Sequence, residues 1–145
     1  MLEEYFNAMS RVIEQEGGSV ADYIGDAVFA FWLKKEEKHA RAACEAALRQ
    51  QEEMILLRAS WKERNLPELH IRIGLNSGQM LAGNVGSSTR FKYCVAGNNV
   101  DIAADLEDLN KVYGTELMIS ESCWKEQQVD DVFVARYLDV VEVKG

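Results

Sequence analysis

The stretch Ser19 to Leu33, SVADYIGDAVFAFWL, decides how the rest of the chain is read. Its first part alternates, so that Val20, Asp22 and Ile24 fall on one face of an extended segment. Its second part, Ala27 to Leu33, is a continuous apolar run of buried-strand length. Only Gly25-Asp26 separates the two, and a two-residue link of this kind predicts a tight hairpin.

Upstream, Leu2, Tyr5, Phe6, Met9, Val12 and Ile13 recur at helical spacing, and Gly17-Gly18 stands where a helix end favours left-handed backbone. Downstream, Ala40, Ala43, Cys44, Ala47, Leu48 and Ile55 mark a long helix from Glu36 to about Trp61, which Asn65-Leu66-Pro67 must end. Leu69, Ile71, Ile73 and Leu75 then alternate as a strand does, and so do Phe91, Tyr93 and Val95, with a glycine-rich hairpin segment, Ser77 to Ser88, between them. Asn98 or Asn99 is placed to cap a helix carrying Val100, Ala103, Ala104, Leu106 and Leu109. Thr115 to Ile119 reads as a strand, Ser120 as the start of a short helix, and Val132 to Val143 as two further strands. Helices alternating with hairpins predict an α+β fold, with helices packed on a mainly antiparallel sheet.

At 145 residues with one proline the chain suits a single domain, residues 1–145. Its net charge of -8 argues against nucleic acid or an anionic membrane surface as partner, since either would repel it. Cys44, Cys94 and Cys123 are odd in number and widely spaced, which suits free thiols and makes the cytoplasm the default location. No apolar run reaches membrane-spanning length, and Met1 to Asn7 lacks the features of a signal peptide. His39 and His70 have no metal-ligand spacing with each other or with the cysteines.

Several strings stand in order along the chain: Tyr23-Ile24-Gly25-Asp26-Ala27-Val28, Ile71-Arg72-Ile73-Gly74-Leu75-Asn76-Ser77-Gly78, Gly83-Asn84-Val85-Gly86 and Val143-Lys144-Gly145. With Tyr113-Gly114-Thr115 and Ile119-Ser120-Glu121 between them, the chain resembles class III adenylyl and guanylyl cyclase catalytic domains over essentially its whole length. The resemblance implies a ferredoxin-like core and active sites formed between two domains, hence a homodimer or a paired cyclase domain. It also implies a reaction in which the ribose 3'-hydroxyl of ATP or GTP closes onto the α-phosphate and expels pyrophosphate, with Mg or Mn ions as cofactors. Such chemistry asks for metal charge, transition-state donors and a pocket that reads the purine.

In the family two aspartates hold the metals. Asp26 matches the second; the first belongs to a Phe-Thr-Asp-like string that should precede Leu2, so the first strand is expected to be missing from these residues, with another strand filling or shrinking the gap. The plainer alternative for Asp26 is a hairpin-turn aspartate bonding to its own backbone. The base-reading positions fall on Asp22 and Cys94, a pair that leans towards guanine because an acid accepts from its ring N–H and amino group. Their plainer alternatives are an exposed strand aspartate and a buried small apolar residue. The transition-state asparagine and arginine positions fall on Asp101 and Asp105, which share one helix face. An aspartate in place of arginine reverses the charge beside a polyanion, where each unit pair is worth about 1 to 4 kcal/mol at close range. A solvated acidic face near a helix N-terminus is the alternative. Lys144 matches the lysine that reaches the triphosphate, or is an ordinary exposed terminal lysine.

The expectation is thus a cyclase-homology domain, catalytically degenerate, serving as a dimerising or regulatory half. Its rivals are an active guanylyl, less so adenylyl, cyclase whose first strand lies upstream, and a module that binds a nucleotide without chemistry.

Overall fold

The computed structural model describes residues 1–34, 38–87, 90–127 and 132–143, with the backbone alone at 86, 87, 90–93 and 127. It divides into two compact units, Met1–Arg72 and Ile73–Gly145.

In the first unit, α1 (Leu2–Gln15) buries Tyr5, Ala8, Met9, Val12 and Ile13; of the stripe its spacing predicts, Phe6 is half-buried and Leu2, in the first turn, is exposed. It stops because Gly17 takes φ +74°: the Gly17 N–H returns to the Glu14 carbonyl at 3.0 Å and the Gly18 N–H to that of Ile13 at 2.9 Å. This double bond-back satisfies carbonyls that the helix itself leaves open. The long helix α2 (His39–Glu63) ends in the same way on a non-glycine residue. Asn65 takes φ +54°, its N–H meets the Lys62 carbonyl at 3.1 Å, and the Leu66 N–H meets that of Trp61 at 2.9 Å. The expected start of this helix at Glu36 lies outside the described residues.

The core of this unit lies where α1 meets α2. Ala40, Ala43, Cys44, Ala46, Ala47, Met54 and Trp61 are buried on α2, and Trp61 is wholly so. Leu48 and Ile55, assigned to that stripe from the sequence, are 44% and 59% exposed. They lie one position, a turn of about 100°, past Ala47 and Met54. Small residues fill the N-terminal half of the inner stripe and Met54 and Trp61 its C-terminal half, which leaves Leu48 and Ile55 on the flank. Glu4 joins the two helices: it accepts from the Trp61 indole at 2.6 Å and from Arg64 at 2.9 and 3.0 Å.

The hairpin forms as predicted, from β1 (Ser19–Ile24) and β2 (Ala27–Phe31). Gly25 alone in the loop has positive φ, the pattern of a type II′ turn. One feature departs from the simple alternation. Val20 pairs with Ala30 and Asp22 with Phe29, so Ala21 is an extra residue, a β-bulge. Because paired residues share a face and Phe29 and Ala30 face opposite ways, Asp22 lies on the face opposite Val20 and shares it with Ile24. The strand is also shorter than the apolar run, and only Phe31 within it is fully buried.

In the second unit, β3 (Ile73–Leu75) pairs in parallel with β6 (Leu117–Ile119). Across them lies α3 (Asn98–Tyr113), whose backbone comes so close that a Cβ at Gly74 would sit 2.2 Å from the Ala103 carbonyl oxygen. A separate antiparallel hairpin joins β4 (Leu81–Ser87) to β5 (Arg90–Ala96). The short helix α4 (Glu121–Gln127) starts where expected, with Ser120 Oγ accepting the Cys123 N–H at 3.1 Å as an N-cap does.

Three expectations are corrected here. The strand predicted from Leu69 is regular only over Ile73–Leu75. Asn98 and Asn99 lie inside α3, its N-cap is Gly97, and no side chain caps it. Residues 132–143 alternate in sequence yet join no ladder among the described residues, and Val134 and Val140 are 102% and 83% exposed. Alternation supplies one face of a strand, whereas a strand also needs a partner to take its N–H and C=O groups. The described strands pair as three two-stranded sheets, two of them antiparallel.

Candidate functional site

Asp26 occupies the β1–β2 loop and is exposed. It stands near α1: burial pushes the Tyr5 phenol above its usual range, and the Asp26 carboxylate adds to that push. Asp22 is half-buried on β1, with its Oδ1 accepting the N–H of Tyr23 at 2.9 Å. Neighbouring strand residues point to opposite faces, so Asp22 lies opposite Tyr23. Tyr23 moors the hairpin to α1, by a hydroxyl contact of 2.8 Å with Ser10 and an edge-on ring contact of 5.0 Å with Phe6. The bulge at Ala21 therefore sets the face on which Asp22 is presented.

A divalent ion would find one exposed carboxylate here, Asp26. Among the described residues no three or more of His, Cys, Asp and Glu gather into a group able to hold a metal. Magnesium is bound through one or two carboxylates together with substrate phosphates, so Asp26 suits part of such a site and the described residues do not complete one.

In the second unit, Cys94 is half-buried on β5 directly across from Gly83. A Cβ at Gly83 would meet nothing within 4 Å among the described residues, so Gly83 itself does not cover Cys94. Only Gly97 stands between β5 and α3, and α3 carries Asp101 in its first turn and Asp105 one turn on. Asp101 is exposed. Asp105 is half-buried, and its Oδ2 is enclosed without a hydrogen-bond partner among the described residues. Each unit thus holds its own set: Asp22 and Asp26 on one hairpin, Cys94, Asp101 and Asp105 on a strand and the helix that follows it. Lys144 lies outside the described residues.

Sequence reasoning missed the polar side chains that hold α3. Asn110, 1% exposed, donates to the carbonyls of Ile73, Leu106 and Glu107 at 3.0, 3.1 and 3.3 Å, and its Oδ1 accepts from Thr115 at 2.6 Å. Asn76 donates to both the main-chain and side-chain oxygens of Asn99 at 2.9 and 3.1 Å, and Asn99 donates to the Gln79 carbonyl at 2.8 Å. The available signal was a polar residue in phase with an apolar stripe, as Asn110 is with Leu106.

The family described as Adenylate and Guanylate cyclase catalytic domain matches residues 1–145. Adenylate cyclase 1 of Rhizobium meliloti is 33% identical over 147 residues, covering 100% of this chain and 22% of its own length. An adenylate cyclase of Anabaena cylindrica is 30% identical, covering 99% of this chain and 29% of its own length. The chain thus spans less than a third of either relative. Among solved structures, the adenylyl cyclase CyaB from P. aeruginosa superposes with a TM-score of 0.86 at 29% identity, over 99% of this chain and 74% of that one. The guanylyl cyclase Cya2 gives 0.84 at 27% identity, again over 99% and 74%. The guanylate cyclase domain of RhGC from Catenaria anguillulae, solved in complex with GTP, gives 0.77 at 28% identity over 99% and 75%. The α+β fold is that of these catalytic domains, and the chain belongs to the adenylate and guanylate cyclase catalytic domain family.

Proposed function

We propose that this chain is a catalytically degenerate nucleotidyl cyclase domain, which acts as one half of a paired site and forms no cyclic nucleotide alone. The carrying observation is on α3, where acidic side chains stand at both positions matching the family's transition-state asparagine and arginine. Asp101 is exposed and Asp105 leaves a carboxylate oxygen enclosed without a donor among the described residues. Neither aspartate, when ionised, donates a hydrogen bond to a phosphate oxygen. Loss of one transition-state donor costs about a hundredfold or more in rate.

On this reading Asp26 is what remains of the metal-binding side, and Lys144 belongs to the triphosphate. Asp22 and Cys94 take the purine edge, and the acid at position 22 favours guanine over adenine. The partner is a second cyclase domain, this chain again or one that supplies the missing groups.

The test is a product assay with ATP and with GTP, in Mn²⁺, on the chain alone and mixed with a cyclase domain carrying the asparagine and arginine. The expected outcome is product from the mixture only. Cyclic nucleotide from the chain alone would overturn the reading. Heat of nucleotide binding in calorimetry with no product in either arm would instead assign a binding module.

A further inference from the structure

We propose that Asn99 is a positioning residue: it fixes the roll of α3 about its own axis, and so the direction in which positions 101 and 105 are presented. The functional half of this proposal rests on the reading of those two positions given above.

The start of α3 has no capping side chain among the described residues. Its N-cap is Gly97, which has no side chain to hold the first turn. The Asn99 carboxamide does this instead. Its Nδ2 donates to the Gln79 carbonyl at 2.8 Å, and its Oδ1 accepts from Asn76 Nδ2 at 3.1 Å. The same Asn76 nitrogen also reaches the Asn99 main-chain carbonyl at 2.9 Å. Asn76 is held from its other end, where its Oδ1 accepts from Ser122 Oγ at 3.0 Å, and that hydroxyl also reaches the Ser77 carbonyl at 2.9 Å. The loop passes so tightly over Asn99 that a Cβ at Gly78 would lie 2.4 Å from its Cγ. The loop after β3, the first turn of α3 and the start of α4 are therefore fastened through two side chains, Asn99 on the helix and Asn76 in the loop.

Geometry gives that fastening its consequence. At about 100° per residue, Asn99, Ala103, Leu106 and Asn110 form one stripe, while Asp101 lies about 200° round from Asn99. The helix is gripped by asparagines at both ends of its inner stripe, and the two aspartates stand away from the grip. A roll of about 20° would carry an atom about 6 Å from the axis through about 2 Å. Misplacement of about 1 Å at a reacting centre can cost about a hundredfold in rate.

Two measurements decide it. The first is residue-resolved amide exchange by NMR on the full chain. Asn99→Ala should speed exchange at Asp101 to Asp105 by about tenfold while leaving Asn110 to Tyr113, pinned separately, within about twofold. Gly78→Ala, which leaves Asn99 in place but crowds it, should loosen the same amides. Uniform loosening along α3, or none, overturns the clamp.

The second measurement uses the restored chain, Asp101→Asn with Asp105→Arg, paired with a cyclase domain that keeps its metal aspartates. Adding Asn99→Ala should lower kcat by about tenfold or more with KM within about twofold. Here kcat is taken per folded domain, counted from the same amide spectrum, since a loss of folded protein would lower apparent kcat at constant KM. An unchanged kcat overturns the positioning role. If the restored pair makes no product, the reading of positions 101 and 105 fails, and the exchange rates alone decide the clamp.

Discussion

Asn110 is the polar side chain that the core of the second unit depends on most. It is all but fully buried, and its carboxamide serves β3, its own helix and Thr115 at once. Asn110→Ala should destabilise the chain by about 2 to 3 kcal/mol, since it strands buried partners as well as removing bonds. A lower urea midpoint at unchanged slope is the measurement; a midpoint equal to wild type would refute it. Its role went unread in the sequence, although an amide in register with Leu106 was a signal that could have found it. Asp22 was legible in identity and not in direction, because a bulge is one unpaired residue and leaves no mark in a pattern of alternating side chains.

Elements here meet at close contacts that single residues permit. α3 lies on β3 because Gly74 is bare: a Cβ there would meet the Ala103 carbonyl oxygen at 2.2 Å and the Glu107 nitrogen at 2.4 Å. Backbone cannot give way as a flexible side chain does, so Gly74→Ala should cost about 3 kcal/mol, more than a typical overpacked site. A thermal midpoint within error of wild type would sink that account. α1 and α2 are joined differently, through Glu4. The Trp61 indole, and after it Arg64, hold the Glu4 carboxyl below its ordinary 4.5. A carboxyl depressed in the folded state stabilises above its unfolded pKa and loses that contribution as pH falls through the folded value. The acid limb of stability, from just above pH 4.5 downward, should therefore be shallower in Glu4→Gln than in wild type, and parallel limbs would refute the link. Because Glu4 is partly exposed to solvent, the effect should also be small.

For the whole molecule, the class of fold was legible from the hairpin outward, and the comparisons bear out both the α+β class and the family. Less was legible about which strands pair. The run from Leu69 to Leu75 is regular only in its last three residues, and residues 132–143 join no ladder among those described. Among the described residues no helix is long and apolar enough to cross a membrane. The one prediction at this scale is the product assay above, since turnover in the proposed paired site is not a property of a single helix or residue.

By itself the sequence determined what depends on neighbours along the chain. It set the helix stops at Gly17 and Asn65, the tight turn at Gly25-Asp26, the cap at Ser120, and the acidic character of positions 101 and 105. Tertiary structure decided what depends on partners distant in sequence: the face Asp22 takes, the role of Asn99 as a clamp in place of a cap, and the exposure of Leu48 and Ile55 beside the buried stripe of α2. The physical reason is that φ preferences and charge belong to a residue, whereas a hydrogen bond or a packed face exists only when a second surface arrives to complete it.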